Sequence, residues 1–117
     1  MNVKDIDLDE LFALIDNFKM KSYEGWVRRF MGEFLLSYDN SHLTEADDWI
    51  QEAIEADKRS NTMWQLGRDY AVYAELFKRK GDRQRAKENL NKAIEILNEC
   101  GAEGWVEKYE KELADLH

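Results

Sequence analysis

Apolar residues recur at helical spacing along almost the whole chain. In D-L-D-E-L-F-A-L-I-D-N-F-K-M, Leu8, Leu11, Phe12, Ile15 and Phe18 share one side, which predicts a leading helix over about 7–21. A second helix starts near Trp26, with Trp26, Phe30 and Phe34 on one stripe and Val27, Met31 and Leu35 on the next. Y-D-N-S-H then reads as a loop, and Thr44 with Asp47 resembles an N-terminal capping pair. The third helix carries Ala46, Trp49, Ile50, Ala53 and Ile54 as its stripe. Asn61 or Thr62 is placed to cap a fourth, in which Leu66, Tyr70, Tyr73, Ala74 and Phe77 share a face and Gly81 supplies the left-handed end. A fifth runs over Ala86, Leu90, Ala93, Ile94 and Leu97 to Cys100-Gly101. The sixth holds Trp105, Val106, Tyr109, Leu113 and Leu116.

No proline interrupts these segments, and alternating Val, Ile and Thr runs are missing. The expected fold is therefore all-α: about six helices joined by short turns, in one domain over 1–117.

The tetrapeptide E-G-W-V occurs twice, at 24–27 and 103–106, and Trp64 lies between the two copies. Trp26, Trp64 and Trp105 are spaced by 38 and 41 residues, which points to a repeated building block. Each unit reads as a helix, a short turn and a Trp-initiated helix lying back against it. On that reading Trp26, Trp64 and Trp105 are inter-helix packing residues. Trp49 stands outside the rhythm, in the acidic third helix, and reads as a partly exposed interface anchor.

The stretch from Tyr70 to Ala93 resembles a tetratricopeptide repeat. Tyr70, Tyr73 and Phe77 occupy its large apolar positions and Ala74, Ala86 and Ala93 its small ones. Leu90 stands at its remaining aromatic position and Gly81-Asp82 at its turn. The steric logic is that small residues let helix backbones approach while aromatics fill the gap left over. The well-formed repeat spans 67–100, and a degenerate copy covers about 25–57, where Gly32 replaces Ala74. The segments at about 7–21 and 102–116 look like leading and closing half-units. The resemblance implies antiparallel helix-turn-helix repeats stacked as a short right-handed, superhelical solenoid. It also implies a concave groove that holds a peptide or helix of a partner protein. Carried onto this sequence, the groove positions are Trp26, Arg29, Glu33 and Leu36 in the degenerate unit, and Arg68, Ala71, Glu75 and Lys78 in the other.

Charge narrows the partners. The net charge is −8, carried almost wholly by residues 1–60, at −7, against −1 for 61–117. Nucleic-acid binding is not expected, because phosphate neutralisation supplies most of its affinity. The local exception is K-R-K-G-D-R-Q-R-A-K at 78–87, where Arg79, Arg83 and Arg85 are candidate interface residues for an acidic surface. Complementarity between the acidic first half and this basic turn leaves room for a homo-oligomer. No apolar run reaches the length of a membrane span, the start of the chain lacks a signal-peptide pattern, and the single Cys100 suits a reducing compartment. These together predict a cytoplasmic protein.

No catalytic pattern emerges. The two histidines, His42 and His117, have no Gly-rich loop, H-E-x-x-H or paired-Cys motif around them. Asp39, Asn40 and His42 fit a helix-capping loop better than a metal site, and Cys100 beside a helix-ending Gly fits an inert thiol. The expected function is a non-catalytic scaffold or adaptor for protein binding, with no cofactor, metal or catalytic residue. The alternative is a regulatory or sensory domain of a signalling or transcription system, docking an acidic partner through 78–87.

Overall fold

The computed structural model describes residues 24–38 and 40–116 together with Glu10. Among them are five α-helices and no strand: α1 (Glu24–Tyr38), α2 (Leu43–Ser60), α3 (Met63–Arg79), α4 (Arg83–Glu99) and α5 (Glu103–Asp115), with a 3-10 turn at Asn40–His42. Apart from Glu10, the leading helix expected over 7–21 lies outside the described residues.

The turn chemistry read from the sequence largely holds. Gly81 and Gly101 take φ of 80° and 73°, the left-handed region that ends α3 and α4 where expected. Asn61, also left-handed at φ 56°, closes α2 rather than opening α3. Asp82 caps α4, its Oδ1 accepting from the Arg85 N–H at 3.1 Å. The Thr44–Asp47 capping pair does not form. The 3-10 turn carries the chain straight into α2 at Leu43, so Thr44 lies inside the helix and Asp47 is free for longer-range bonds.

The helices pair as antiparallel hairpins. Gly25, at the start of α1, lies against Asp57 at the end of α2, and Gly32 lies against Ile50. In the same way Gly67, at the start of α3, lies against Leu97 at the end of α4. A Cβ on Gly32 would stand 2.5 Å from Ile50 Cγ1 and one on Gly67 2.7 Å from Leu97 Cγ, so at both crossings the backbones approach because no side chain is present. Between the hairpins α2 packs on α3, α1 touches α3, and α5 closes over α4. One buried cluster threads all five helices, including Met31, Leu35, Ile50, Leu76, Leu90, Leu97 and Tyr109. Burial of each such side chain is worth about 1.5–3 kcal/mol, so packing rather than intrinsic helix propensity holds these elements.

A polar tie joins α2 to α3. The Tyr73 hydroxyl donates to Asp47 Oδ1 at 2.8 Å, Gln51 Nε2 donates to the same oxygen at 2.7 Å, and Lys80 Nζ reaches Asp47 Oδ2 at 3.4 Å. Partial burial alone would raise the Asp47 carboxyl, but the bonds from Gln51 and Tyr73 and the Lys80 charge outweigh it and lower its pKa. The Tyr73 phenol is pushed up to about 12 by burial and by its bond to Asp47. Tyr73→Phe is expected to destabilise the fold by about 1 kcal/mol, the net worth of one hydrogen bond to a charged group at a half-exposed site. Urea unfolding at neutral pH measures it, and an unchanged midpoint would show that the bond contributes nothing.

Candidate groove across α1, α3 and α5

A groove of about 230 Å³ opens where α1, α3 and α5 come together. Leu36 and Ala71 form its apolar base with the half-buried Val72, and the Tyr109 ring closes one side. Around them stand Glu33 from α1, Glu75 and Arg79 from α3, and Glu112 from α5, with Arg68 and Lys108 at the end nearest Trp105. An apolar base with a charged rim is what an amphipathic segment needs. The volume lies below the roughly 300–1,000 Å³ of small-molecule and cofactor sites and suits the anchoring of one large side chain.

Five of the eight groove positions carried from the repeat line this cavity: Glu33, Leu36, Arg68, Ala71 and Glu75. Arg79, read from sequence as part of the basic turn, lines it as well. Three positions do not. Lys78 lies beside Gly81, Arg83 and Leu116 in a separate cavity of about 250 Å³. Trp26 faces solvent at 45% exposure, and Arg29 lies beneath the surface at 2%. Arg29 is turned into the protein because α3 offers it partners there: Gln65 Oε1 at 2.5 Å and Asp69 Oδ1 at 3.3 Å.

The tryptophans depart from their sequence reading in both directions. Trp49 is buried at 8%, because it falls on the face of α2 that also carries Ala46, Ile50 and Ala53, and the Arg28 guanidinium lies 5.7 Å from its ring centre. It is packing, not an exposed anchor. Trp26 and Trp64, expected between helices, are 45% and 38% exposed. Trp64 instead meets the half-buried Trp105 edge to face at 6.3 Å, and Trp105 stacks on Tyr109 at 5.8 Å. Arg68 caps this aromatic run, 4.2 Å from the Trp105 ring centre and 5.6 Å from that of Trp64, and Lys108 covers the Trp105 and Tyr109 rings at 5.1 and 5.6 Å. Burial raises the Tyr109 phenol despite the opposing hydrogen bond and charge of Arg68.

Beneath the groove sits a charged cluster for which the sequence held no visible signal. Asp69 is fully buried, Asp57 and Arg29 are each 2% exposed, and all three lie at the junction of α1, α2 and α3. Neither Asp57 Oδ2 nor Asp69 Oδ2 meets a nitrogen or hydroxyl donor, so the facing carboxyls satisfy each other only if one keeps its proton. Burial first, then the bond to and charge of Asp57, push Asp69 up to about 9, against the opposing pull of Arg29. Burial and the nearby Arg68 lower the Arg29 pKa, while Asp69 and Glu33 raise it.

The basic turn carries less free charge than its sequence suggests. Lys78 and Arg79 both pair with Glu75, Lys80 with Asp47, and Arg85 with Asp82. Arg83 remains exposed without an ion pair among the described residues. His42 lies 3.3 Å from Glu45, Cys100 is exposed, and Asp39 is outside the described residues. Among the described residues no three His, Cys, Asp or Glu side chains gather as a metal site, and no helix is long and apolar enough to cross a membrane.

The α5 wall went unread in the sequence, although a signal for it existed. Lys108 and Glu112 follow Arg29 and Glu33 by the same 79 residues that separate the two E-G-W-V copies. Extending that offset past the tetrapeptide would have placed both on the groove. Comparison with known proteins finds no matching family model, no similar curated protein and no similar solved structure.

Proposed function

We propose that this chain is a non-catalytic protein-interaction module, a scaffold or adaptor that holds a peptide or helix of a partner protein in the α1–α3–α5 groove. The observation that carries the reading is the groove itself: three helices contribute an apolar base and a charged rim to one cavity sized for a side-chain anchor. The hairpins α1–α2 and α3–α4, with α5 as a further first helix, support a short right-handed, tetratricopeptide-like stack whose concave side is this groove. The alternative, docking through 78–87, draws less support, since Lys78, Arg79, Lys80 and Arg85 are already paired within the chain.

The test is selection of a displayed random-peptide library on the wild-type protein and on Ala71→Arg, which fills the base of the groove. Enrichment of a defined peptide set on the wild type, lost by at least about tenfold in affinity on the variant, is the expected outcome. Enrichment unaffected by Ala71→Arg would move the site elsewhere, and no enrichment on a folded wild type would refute peptide binding. Retained helical circular dichroism is the control for the variant's fold.

A further inference from the structure

The groove is lined by three acidic and three basic side chains, but they do not all pair with one another. Glu75 is taken up by Arg79 and Lys78, and Glu33 lies 3.8 Å from Arg29. Arg68 and Lys108 form no ion pair with any described carboxylate, although Glu112 lines the same cavity. The Arg68 Nε is buried and has no hydrogen-bond partner, and the flat side of its guanidinium is spent on Trp105. Beneath it the buried Arg29 stands 3.3 Å from Asp69 Oδ1, so the interior carboxyls have a cation of their own and do not neutralise Arg68. Two cations are thus fixed on one indole at one end of an apolar cavity, opposed by a single glutamate. Stacking holds the guanidinium in place, and beyond its bond to the Tyr109 hydroxyl its remaining N–H groups can still donate.

We infer that the groove selects segments in which an Asp or Glu side chain lies within one helical turn of a large apolar side chain. The carboxylate accepts from Arg68, with Lys108 beside it, while the apolar group seats over Leu36, Ala71 and Val72. This rests on the peptide-binding reading and specifies its ligand. A side-chain anchor matches the cavity of about 230 Å³, and a carboxylate matches the surplus of cations at the indole end.

The composition of the selected peptides tests it, using a library displayed between two folded segments so that side chains supply the only carboxylates. Wild-type selections are expected to enrich an acidic residue one to four positions from Leu, Ile, Phe or Met. A synthetic peptide from that set should lose about tenfold in affinity when its acid is exchanged for the amide. The same exchange should cost less than about twofold on Arg68→Gln, which keeps a planar group over Trp105. Lys108→Gln, at an exposed position, should reduce the acid preference without threatening the fold. Peptides enriched without an acid, or an acid preference that survives both variants, would overturn the inference and leave peptide binding standing. Failure to enrich any peptide would remove both.

Discussion

Asp69→Asn is expected to stabilise the folded protein at neutral pH and to flatten its loss of stability toward alkaline pH. Asp69 is fully buried against Asp57, and its folded-state pKa is raised to about 9. A carboxyl whose pKa is raised on folding binds its proton more tightly in the native state. Its contribution is therefore complete below the ordinary carboxyl range and is lost as pH rises toward about 9. Through that window each pH unit removes up to about a tenfold factor from the folding equilibrium, because the unfolded chain is free to ionise and the folded one is not. Asparagine is neutral in both states, keeps an oxygen for Arg29, and offers Asp57 an N–H in place of the shared proton. The gain at pH 7 is on the order of 2–4 kcal/mol, less whatever charge attraction Arg29 loses. Urea midpoints of wild type and variant across pH 5–9 decide the matter. Parallel curves would mean that Asp69 stays ionised on folding and that the proton is not held between the two carboxyls.

The second large effect separates two copies of one tetrapeptide. Glu24-Gly25-Trp26-Val27 and Glu103-Gly104-Trp105-Val106 both open a helix, and each glycine is its second residue. Gly104→Ala is expected to raise stability by up to about 1 kcal/mol, since alanine gains helix propensity and meets nothing within 4 Å. Gly25→Ala is expected to cost about 2–3 kcal/mol, because its new methyl would fall inside the Asp57 carboxylate. Asp57 is too buried to swing aside without abandoning Asp69, so α1 must retreat from the end of α2. Thermal unfolding of the two single variants should shift in opposite directions, and shifts of the same sign would refute the close approach of Gly25 to Asp57.

Both predictions bear on the groove, because Arg29, Asp69 and Gly25 fix how α1 lies beside α3. Glu33 and Leu36 on α1 reach the cavity only in that arrangement. A variant that loosens α1 should lower peptide affinity without altering any residue of the cavity.

Helix identity, the turns at Gly81 and Gly101 and the crossing at Gly32 were legible in the chain, because they depend on local spacing and on residue size. The stripe Ala46, Ile50 and Ala53 names a core face whatever lies opposite. That Glu33, Leu36, Arg68, Ala71 and Glu75 line one cavity matches positions carried over from the tetratricopeptide resemblance, not positions read from spacing. The fates of the tryptophans could not be read in this way. Burial depends on what other helices bring against a residue, and it put Trp49 inside and left Trp26 and Trp64 at the surface. The Arg29–Asp69–Asp57 cluster was equally hidden: its members are 40 and 12 residues apart and look like ordinary surface charges. Helical periodicity is a property of a single segment and is written into its order of residues. The electrostatic state of a carboxyl, or the room beside a glycine, is a property of what a second and third helix bring against it, and only their packing sets it.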